Sequence, residues 1–472
     1  MSRIYLTRLV IETQTPMAIN TGGRETGFDS QLARDANGIP YIPATSIAGV
    51  WRHLTKEDNK LGEQAAEFWF GTTERCSTLT LADGIVHNSQ NKPVVGLISS
   101  QEIQNDPILA LLRQDRPHHR EHVRINDRGV AADEAKFDQL LLPAGVRFTV
   151  DIRWNSNGQD AQQEKEWQDI LACWQKRHFA LGATTRNGLG KIRVVASSQQ
   201  VLDLAGNPTA GERLSEFVKR TDIPTQLDLT AQPQTTPFAE LPLQALDNWR
   251  CGTGSSLLDP SKKEANVNII TYSEPRIEWH NNTAAIAPNS PVLCGSSIKG
   301  ILAHRIAYHL RKRLGIWAED MADCDHETWE KRPIELKQLL GHADQDDHNQ
   351  SVAGKLFVDD CQIDFEHTII RTHNSIDRFT GGVRQGALYS EELLYQPCFT
   401  LKLWLVPGTS LSPELKGALE DTLSDLQSGL LPFGAGSGRG TSLVMQNQTQ
   451  EWLVNWNAIT EATNEKAKEK AL

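Results

Sequence analysis

The sequence predicts the α+β class, built as two tandem ferredoxin-like units with insertions. Three observations lead there. The first is that three motifs recur in one order at nearly one spacing. "PYIPATSIAGVWRH" (40–53) returns as "LCGSSIKGILAHR" (293–305), where Ser46, Ile47 and Gly49 fall on Ser297, Ile298 and Gly300, 251 positions on. "RPHHREHVRINDRGV" (116–130) returns as "IIRTHNSIDRFTGGV" (369–383), where Arg120, His122 and Ile125 fall on Arg371, His373 and Ile376 at the same offset. "LGATTRNGLG" (181–190) returns as "FGAGSGRGTS" (433–442), where Gly182, Ala183 and Gly188 fall on Gly434, Ala435 and Gly440, 252 positions on. Collinear repetition of this kind marks a duplication. The second observation is length: 472 residues exceed one ordinary hydrophobic core. The third is the alternation of strand-like and helix-like periods within each copy.

Within the first copy, "RIYLTRLVIET" (3–13) alternates as a half-buried strand. "SIAGVWRHLTKE" then begins a helical pattern, with Ser46 as candidate N-cap. "VRFTVDIRW" (146–154) is a second strand, and "EWQDILACWQKRHFALG" (166–182) an amphipathic helix that leads into a glycine loop. The second copy repeats the order. Ser297 opens "SIKGILAHRIAYHLRKRLGIW", "FTLKLWLV" (399–406) is a strand, and "PELKGALEDTLSDLQSG" (413–429) is the second helix. Strands, helix, strands, helix and return strand make a ferredoxin-like unit. The tryptophans Trp51, Trp69, Trp249 and Trp317 are assigned to core packing.

The units are expected at 1–220 and 237–455, with a Thr-, Gln- and Pro-rich linker over 221–236 and a charged tail over 456–472. The offset also breaks in two places. Thr21-Gly22 matches Thr253-Gly254 at 232, so the second copy carries 19 extra residues before its serine motif. "LADGIVHN" (81–88) resembles "FVDDCQID" (357–364), and pairing Asp83 with Asp360 gives 277, so the first carries 26 extra before its arginine–histidine motif. Both insertions are expected at the surface.

Composition excludes several classes. No run of about 18 apolar residues occurs, so no transmembrane helix is expected. The N-terminus lacks the apolar block of a signal peptide. Seven cysteines without a CxxC pair point to a reducing cytoplasm and against a zinc ribbon. The net charge of −11 means that any nucleic acid must be held by a locally basic groove. GxxxxGK[ST] is absent, so the glycine loops are not nucleotide P-loops.

"TGFDSQLARDANGIPYIPATSIAGVWR" (26–52), "REHVRI" (120–125), "LLPAGVRFTVDI" (141–152) and the glycine loop before a last strand resemble the RAMP superfamily, the backbone subunits of type III CRISPR–Cas effector complexes. The resemblance spans roughly 3–196 and 237–446, and two fused units look most like a tandem subunit of the type III-D kind. It implies a modified RRM-like fold with thumb-type insertions, a groove for CRISPR RNA, other effector subunits as partners, and cleavage of target RNA beside the thumb. In that light, the proline-fixed turn and serine-started helix expose backbone amides and hydroxyls suited to a phosphate.

Asp29 sits where RAMP subunits with ribonuclease activity carry their catalytic aspartate. There it would hold a divalent cation, expected to be Mg²⁺, or assist the 2′-hydroxyl. Without the resemblance, Asp29 reads as a turn residue. The second copy departs from this pattern. Its loop offers Asp259 as a second candidate beside Lys262 and Lys263, although Asn268 and Thr271 lie nearer in frame. Expected RNA contacts are Arg24, Arg34, Ser46, Arg52, Arg120, His122, Arg124 and Arg186 in the first copy, and Ser297, Lys299, Arg371, His373 and Arg439 with the two lysines in the second. Zinc at His118 and His122 competes with RNA contact for the histidine cluster. Two other functions compete with a cutting subunit. One is a purely structural backbone subunit. The other is a processing endonuclease, which would need a histidine site that only His178 could supply.

Overall fold

A computed structural model describes residues 3–21, 23, 30–126, 129–156, 161–204, 208–229, 235–325, 332–342 and 351–461. In the first unit the strands are β1 (Arg3–Thr13), β2 (Asn20–Thr21), β3 (Gln31–Leu32), β4 (Leu79–Leu81), β5 (Ile85–Val86), β6 (His118–Ile125), β7 (Ala131–Leu141), β8 (Arg147–Ser156) and β9 (Ile192–Asp203). Its helices are α1 (Ala44–Lys56), α2 (Gly62–Phe70), α3 (Ser100–Asn105), α4 (Pro107–Leu112), α5 (Ala161–Ala172) and α6 (Ala210–Lys219). The second unit has β10 (Ala239–Ala245), β11 (Asn248–Trp249), β12 (Ser273–His280), β13 (Thr283–Leu293), β14 (Leu356–Val358), β15 (Cys361–Gln362), β16 (Thr368–His373), β17 (Tyr389–Tyr395), β18 (Cys398–Leu405), β19 (Ser410–Leu411), β20 (Val444–Gln446), β21 (Leu453–Val454) and β22 (Thr460–Glu461). Its helices are α7 (Gly295–Arg313), α8 (Ile334–Leu340) and α9 (Pro413–Gln427).

The two sheets repeat each other. The first runs β4-β8-β1-β9 and the second β14-β18-β10-β20, all antiparallel. α1 and α5 line the first core, α7 and α9 the second. The duplication therefore holds at the level of strand order, and the class is α+β as expected. Backbone bonds confirm it residue by residue. Ala183 N–H donates to Ala18 O at 2.9 Å, and Ala435 N–H to Arg250 O at 2.9 Å. Gly182 and Gly434 are both left-handed (φ 90° and 122°), and a Cβ on either would lie 2.4 Å from a neighbour, Ala18 O or the Trp249 ring nitrogen. Only glycine fits that approach, which is why the loop survives in both units.

Several expectations need correction. β1 is buried on both faces, because α6 covers the second face through Ala210 and Phe217. That cover also encloses Arg8, which pairs with Asp151 at 2.7 Å and with Asp222. Neither insertion is a surface loop. The insertion of the first unit includes α3 and α4, whose Ile103, Ile108, Leu109 and Leu112 join the first core. The 19 of the second help build the β12–β13 hairpin, which reaches across to the first unit. There Ile277 N–H donates to Ala144 O at 2.9 Å, Trp279 Nε1 to Gly145 O at 2.7 Å, and Ala284 N–H to Ser89 O at 2.7 Å. Ile277 and Ala284 thus belong to the first core. Apolar residues at alternate hairpin positions gained more by burial than by exposure.

The boundary of the tail also moves. Residues 456–461 pack on the second unit, with Ile459 buried and β22 paired to β19. The first half of the expected linker lies along β9, where Ser197 N–H donates to Gln226 O at 2.8 Å. Trp51, Trp69 and Trp249 are core residues as expected, whereas Trp317 is exposed. The seven cysteines are unpaired. Among the described residues no helix is long and apolar enough to cross a membrane.

Candidate nucleic-acid interface

The two serine-motif helices do not start as the sequence suggested. The N-cap positions are Pro43 and Cys294, and Ser46 and Ser297 lie at the third helical residue without capping. The first amides are satisfied instead by aspartates from the ends of β4 and β14. Ala44 N–H donates to Asp83 Oδ1 and Gly295 N–H to Asp360 Oδ1, each at 2.8 Å. A carboxylate thus already stands where the backbone would receive a phosphate. Ser46 is half-buried and Ser297 exposed.

Arg120 is likewise committed. Its side chain, 2% exposed, donates to Glu274 at 2.6 Å and Asp360 at 2.6 Å across the junction of the units. His118 Nε2 lies 3.3 Å from the same Glu274. Next to this, Asp359 receives Arg177 at 2.5 Å, Lys191 at 2.8 Å and Trp404 Nε1 at 3.1 Å. The guanidinium read as a phosphate contact is therefore part of a buried seam. Burial drives Glu274 upward, yet the Arg120 and His118 charges outweigh it and hold its carboxyl well below the usual range. Burial dominates at Asp360, raising its carboxyl.

The other candidates separate into bound and open groups. Arg34 donates to Gly38 O, Leu112 O and Gln114 O, fastening β3 to the end of α4. Asp259 accepts from Ser261 and pairs with Lys262 at 3.4 Å, while Lys262 also donates to Thr368 O at 2.6 Å. Asp259 is therefore a cap of a short helical turn. His373 donates to Glu391 at 2.7 Å and stacks on Tyr389. Arg250 (3.1 Å) and Arg439 (3.8 Å) approach the same Glu391, which is 0% exposed. Arg371 is half-buried on β16, opposite Glu391 in the strand register. Arg52 is exposed on α1, and His122 stacks on Phe137. Burial, aided by Arg120, lowers the His122 pKa.

Two places gather positive charge. At the first, Arg186 of the glycine loop meets Lys299 of α7 across the junction. Lys299 Nζ donates to Leu356 O at 3.2 Å, and Arg186 Nε to Gly354 O at 2.7 Å with its guanidinium over Phe357. Both cations contact carbonyls. Burial, with Arg186 nearby, lowers the Lys299 pKa to about 8. At the second, Arg332 lies within range of the charges of exposed Arg124 on the β6–β7 hairpin and of Arg311 of α7, and His304 lies 3.2 Å from Ile125 O. Desolvation and the charges of Arg124 and Arg311 lower the Arg332 pKa. Sequence reading missed Arg311 and Arg332, since they sit outside every repeated motif. The signal for Arg311 was a basic run closing α7.

Asp29 and Arg24 lie outside the described residues, as does the side chain of Lys263. Their neighbours nevertheless fix a frame. Ala33 N–H donates to Ile19 O and Tyr272 N–H to Cys251 O, both at 2.9 Å. Leu140 N–H donates to Ser30 Oγ at 3.2 Å, and Glu392 N–H to Ile269 O at 2.8 Å. The match of Ala33 to Tyr272 sets an offset of 239, at which Asn268 stands for Asp29 in the sequence. Among the described residues no group of three or more His, Cys, Asp or Glu could hold a metal ion. That applies to His118 and His122 as well.

A model of the RAMP superfamily matches residues 10–193 and again 243–444. The chain belongs to the RAMP superfamily. The two matched stretches are the two units of this RAMP chain, each with its own sheet and glycine loop. Among solved structures, that of the type III-B Cmr-beta bound to cognate target RNA is similar, at 21% identity and a TM-score of 0.29. That match covers 43% of this chain and 62% of the other, so the RAMP protein described here spans less than two thirds of its length. None of the curated proteins matches this sequence.

Proposed function

We propose that this chain is a backbone subunit of a type III CRISPR–Cas effector complex that binds CRISPR RNA along its two units, with other effector subunits as neighbours. The observations that support it most are the meeting of Arg186 and Lys299 at the junction of the units and the nearness of Arg332 to the charge of Arg124 on the first hairpin. Like charges brought this close in an acidic protein stabilise a bound polyanion more than the fold. Membership of the RAMP superfamily gives that polyanion its class. Arg124→Ala with Arg332→Ala is expected to weaken guide RNA binding equally for all sequences, and to flatten the salt dependence by about 0.7 per lost contact. Loss of affinity for one base identity alone would overturn the phosphate reading. An unchanged affinity would remove this cluster from the groove.

Lys299 gives a second check. Its folded pKa, about 8, lies below the ordinary lysine value of about 10.4. A phosphate at the site would raise it again. Binding then takes up a proton between pH 8 and 10, so guide affinity falls as pH rises through that window and is flat below it. Lys299→Arg is expected to abolish the fall in a titration of affinity against pH.

We further propose that the first unit cuts target RNA through Asp29, and that the second binds without cutting. The support is Asn268 in the frame of Asp29, because an amide can neither take a proton nor carry the charge. The expected Mg²⁺ would be held at Asp29, where it would stabilise charge on the scissile phosphate. The purely structural subunit is the alternative reading.

A further inference from the structure

α7 is unlike the rest of this acidic chain. Its 19 residues hold Lys299, Arg305, Arg311, Lys312 and Arg313 and no acid, whereas the whole chain carries a net charge of −11. Ile298, Leu302, Ile306 and Leu310 set its buried face at helical spacing. The opposite stripe runs through Ser297, His304, Tyr308 and Arg311, at steps of seven, four and three residues that keep them on one side.

One member of that stripe is aromatic. Tyr308 is 54% exposed, so its ring contributes little to the core. It is nevertheless held in place, because the Arg305 guanidinium lies over the ring at 4.7 Å from its centroid. Arg305 is fixed in turn by α9, donating from Nε to Asp425 Oδ2 at 2.6 Å. The contacts that bind α7 to α9 are made by Arg305, His309 and Arg313 with Asp421 and Asp425, and the phenol takes no part in them. A ring backed by an anchored cation and half in water is ordered before any flat partner arrives, which lowers the cost of stacking on it.

The surroundings name the partner. One turn before Tyr308, His304 lies 3.2 Å from Ile125 O near the tip of the β6–β7 hairpin. One turn after it comes Arg311, whose charge reaches Arg332 together with that of Arg124. An aromatic ring set among cations is what a single strand of nucleic acid binds, its phosphates on the charges and a base on the ring. We infer that Tyr308 is a stacking platform for one unpaired base of the bound RNA, with Arg311 and Lys312 beside the flanking phosphates. The inference rests on the RNA reading above and adds to its backbone contacts a contact to a base.

The test uses the full chain at low salt and a single-stranded RNA of mixed sequence, with uridine or with 5-iodouridine, which on irradiation couples to an aromatic ring stacked on it. Tyr308→Leu is expected to weaken binding about 10-fold, the order of one stacked base. The slope of affinity against salt should not change, since no cation is lost. Tyr308→Phe is expected to bind like wild type and to keep the crosslink, which peptide mapping should place on residue 308. Both variants should melt like wild type, because the ring is exposed. A Tyr308→Leu chain that binds and crosslinks like wild type would overturn the platform and leave the RNA reading standing. So would an equal loss in Tyr308→Phe, which would assign the effect to the hydroxyl. Loss of a neighbouring subunit from the assembled complex, with RNA affinity intact, would overturn it too and give the ring to a protein. A wild-type chain that binds no RNA would overturn the RNA reading itself, and the platform with it.

Discussion

Arg120→Met is expected to destabilise the protein by about 3–5 kcal/mol, the cost of leaving buried carboxylates without their cation. Glu274 and Asp360 both lose a 2.6 Å partner, and neither can move into water without opening the seam. The effect should show in calorimetry as an earlier transition that splits in two, because the units melt as one only while the seam holds. Adding Glu274→Gln and Asp360→Asn should restore most of the loss. The amide at 360 can still accept from Gly295, and no charge remains buried. Arg52→Met, on exposed α1, serves as the control. Equal melting of Arg120→Met and Arg52→Met would refute the seam as a source of stability. The pH dependence follows from Glu274, whose folded pKa is depressed. Its contribution is present above the unfolded value of about 4.3 and is lost as pH falls through the folded value, in strong acid. The arginine variant should lose that acid limb.

The second large effect concerns cleavage. Asp29→Ala is expected to slow one cut in guide-complementary RNA by about 10²–10⁴-fold, the usual worth of a positioned acid–base group. Guide loading and target binding should persist, since the sequence reads Asp29 as a turn carboxylate, which contributes little to a core. Asp259→Ala should leave every cut in place, because Asp259 caps Ser261 and pairs with Lys262. The measurement maps labelled product ends from the assembled complex, with Mg²⁺ and with EDTA. An unchanged ladder in Asp29→Ala would favour the purely structural subunit. Cuts that survive chelation would separate the carboxylate from any cation.

The duplication was legible because its motifs are short, ordered and built from glycine, arginine and serine, residues that resist replacement where the backbone is constrained. The glycine loops at 182 and 434 are the clearest case. The helix caps were not legible. Asp83 and Asp360 lie 39 and 65 residues from the amides they hold, so no local pattern links them. Ser46 and Ser297 look like caps because a serine before a helical run usually is one. Arg120 misled for a related reason: an arginine in a basic run reads as solvated until the acids of the other unit are placed beside it. The insertions misled through length alone. Twenty residues can be a loop or a hairpin, and only the fit of Ile277 against Gly145 decides. The Asn268 frame was half legible, since its spacing was visible and its hydrogen bonds were not.

The β12–β13 hairpin also sets an order of events during synthesis. Ile277 and Ala284 complete the core of a domain whose own sequence ends near residue 229. A ribosome adding about 5–20 residues per second reaches them several seconds after that domain has emerged. Throughout that interval the edge around Ala144 and Gly145 faces the cell uncovered, an unfinished interior awaiting chain not yet made. Nascent protein in this window is the form most open to chaperones, proteases and mispairing with a neighbouring nascent chain.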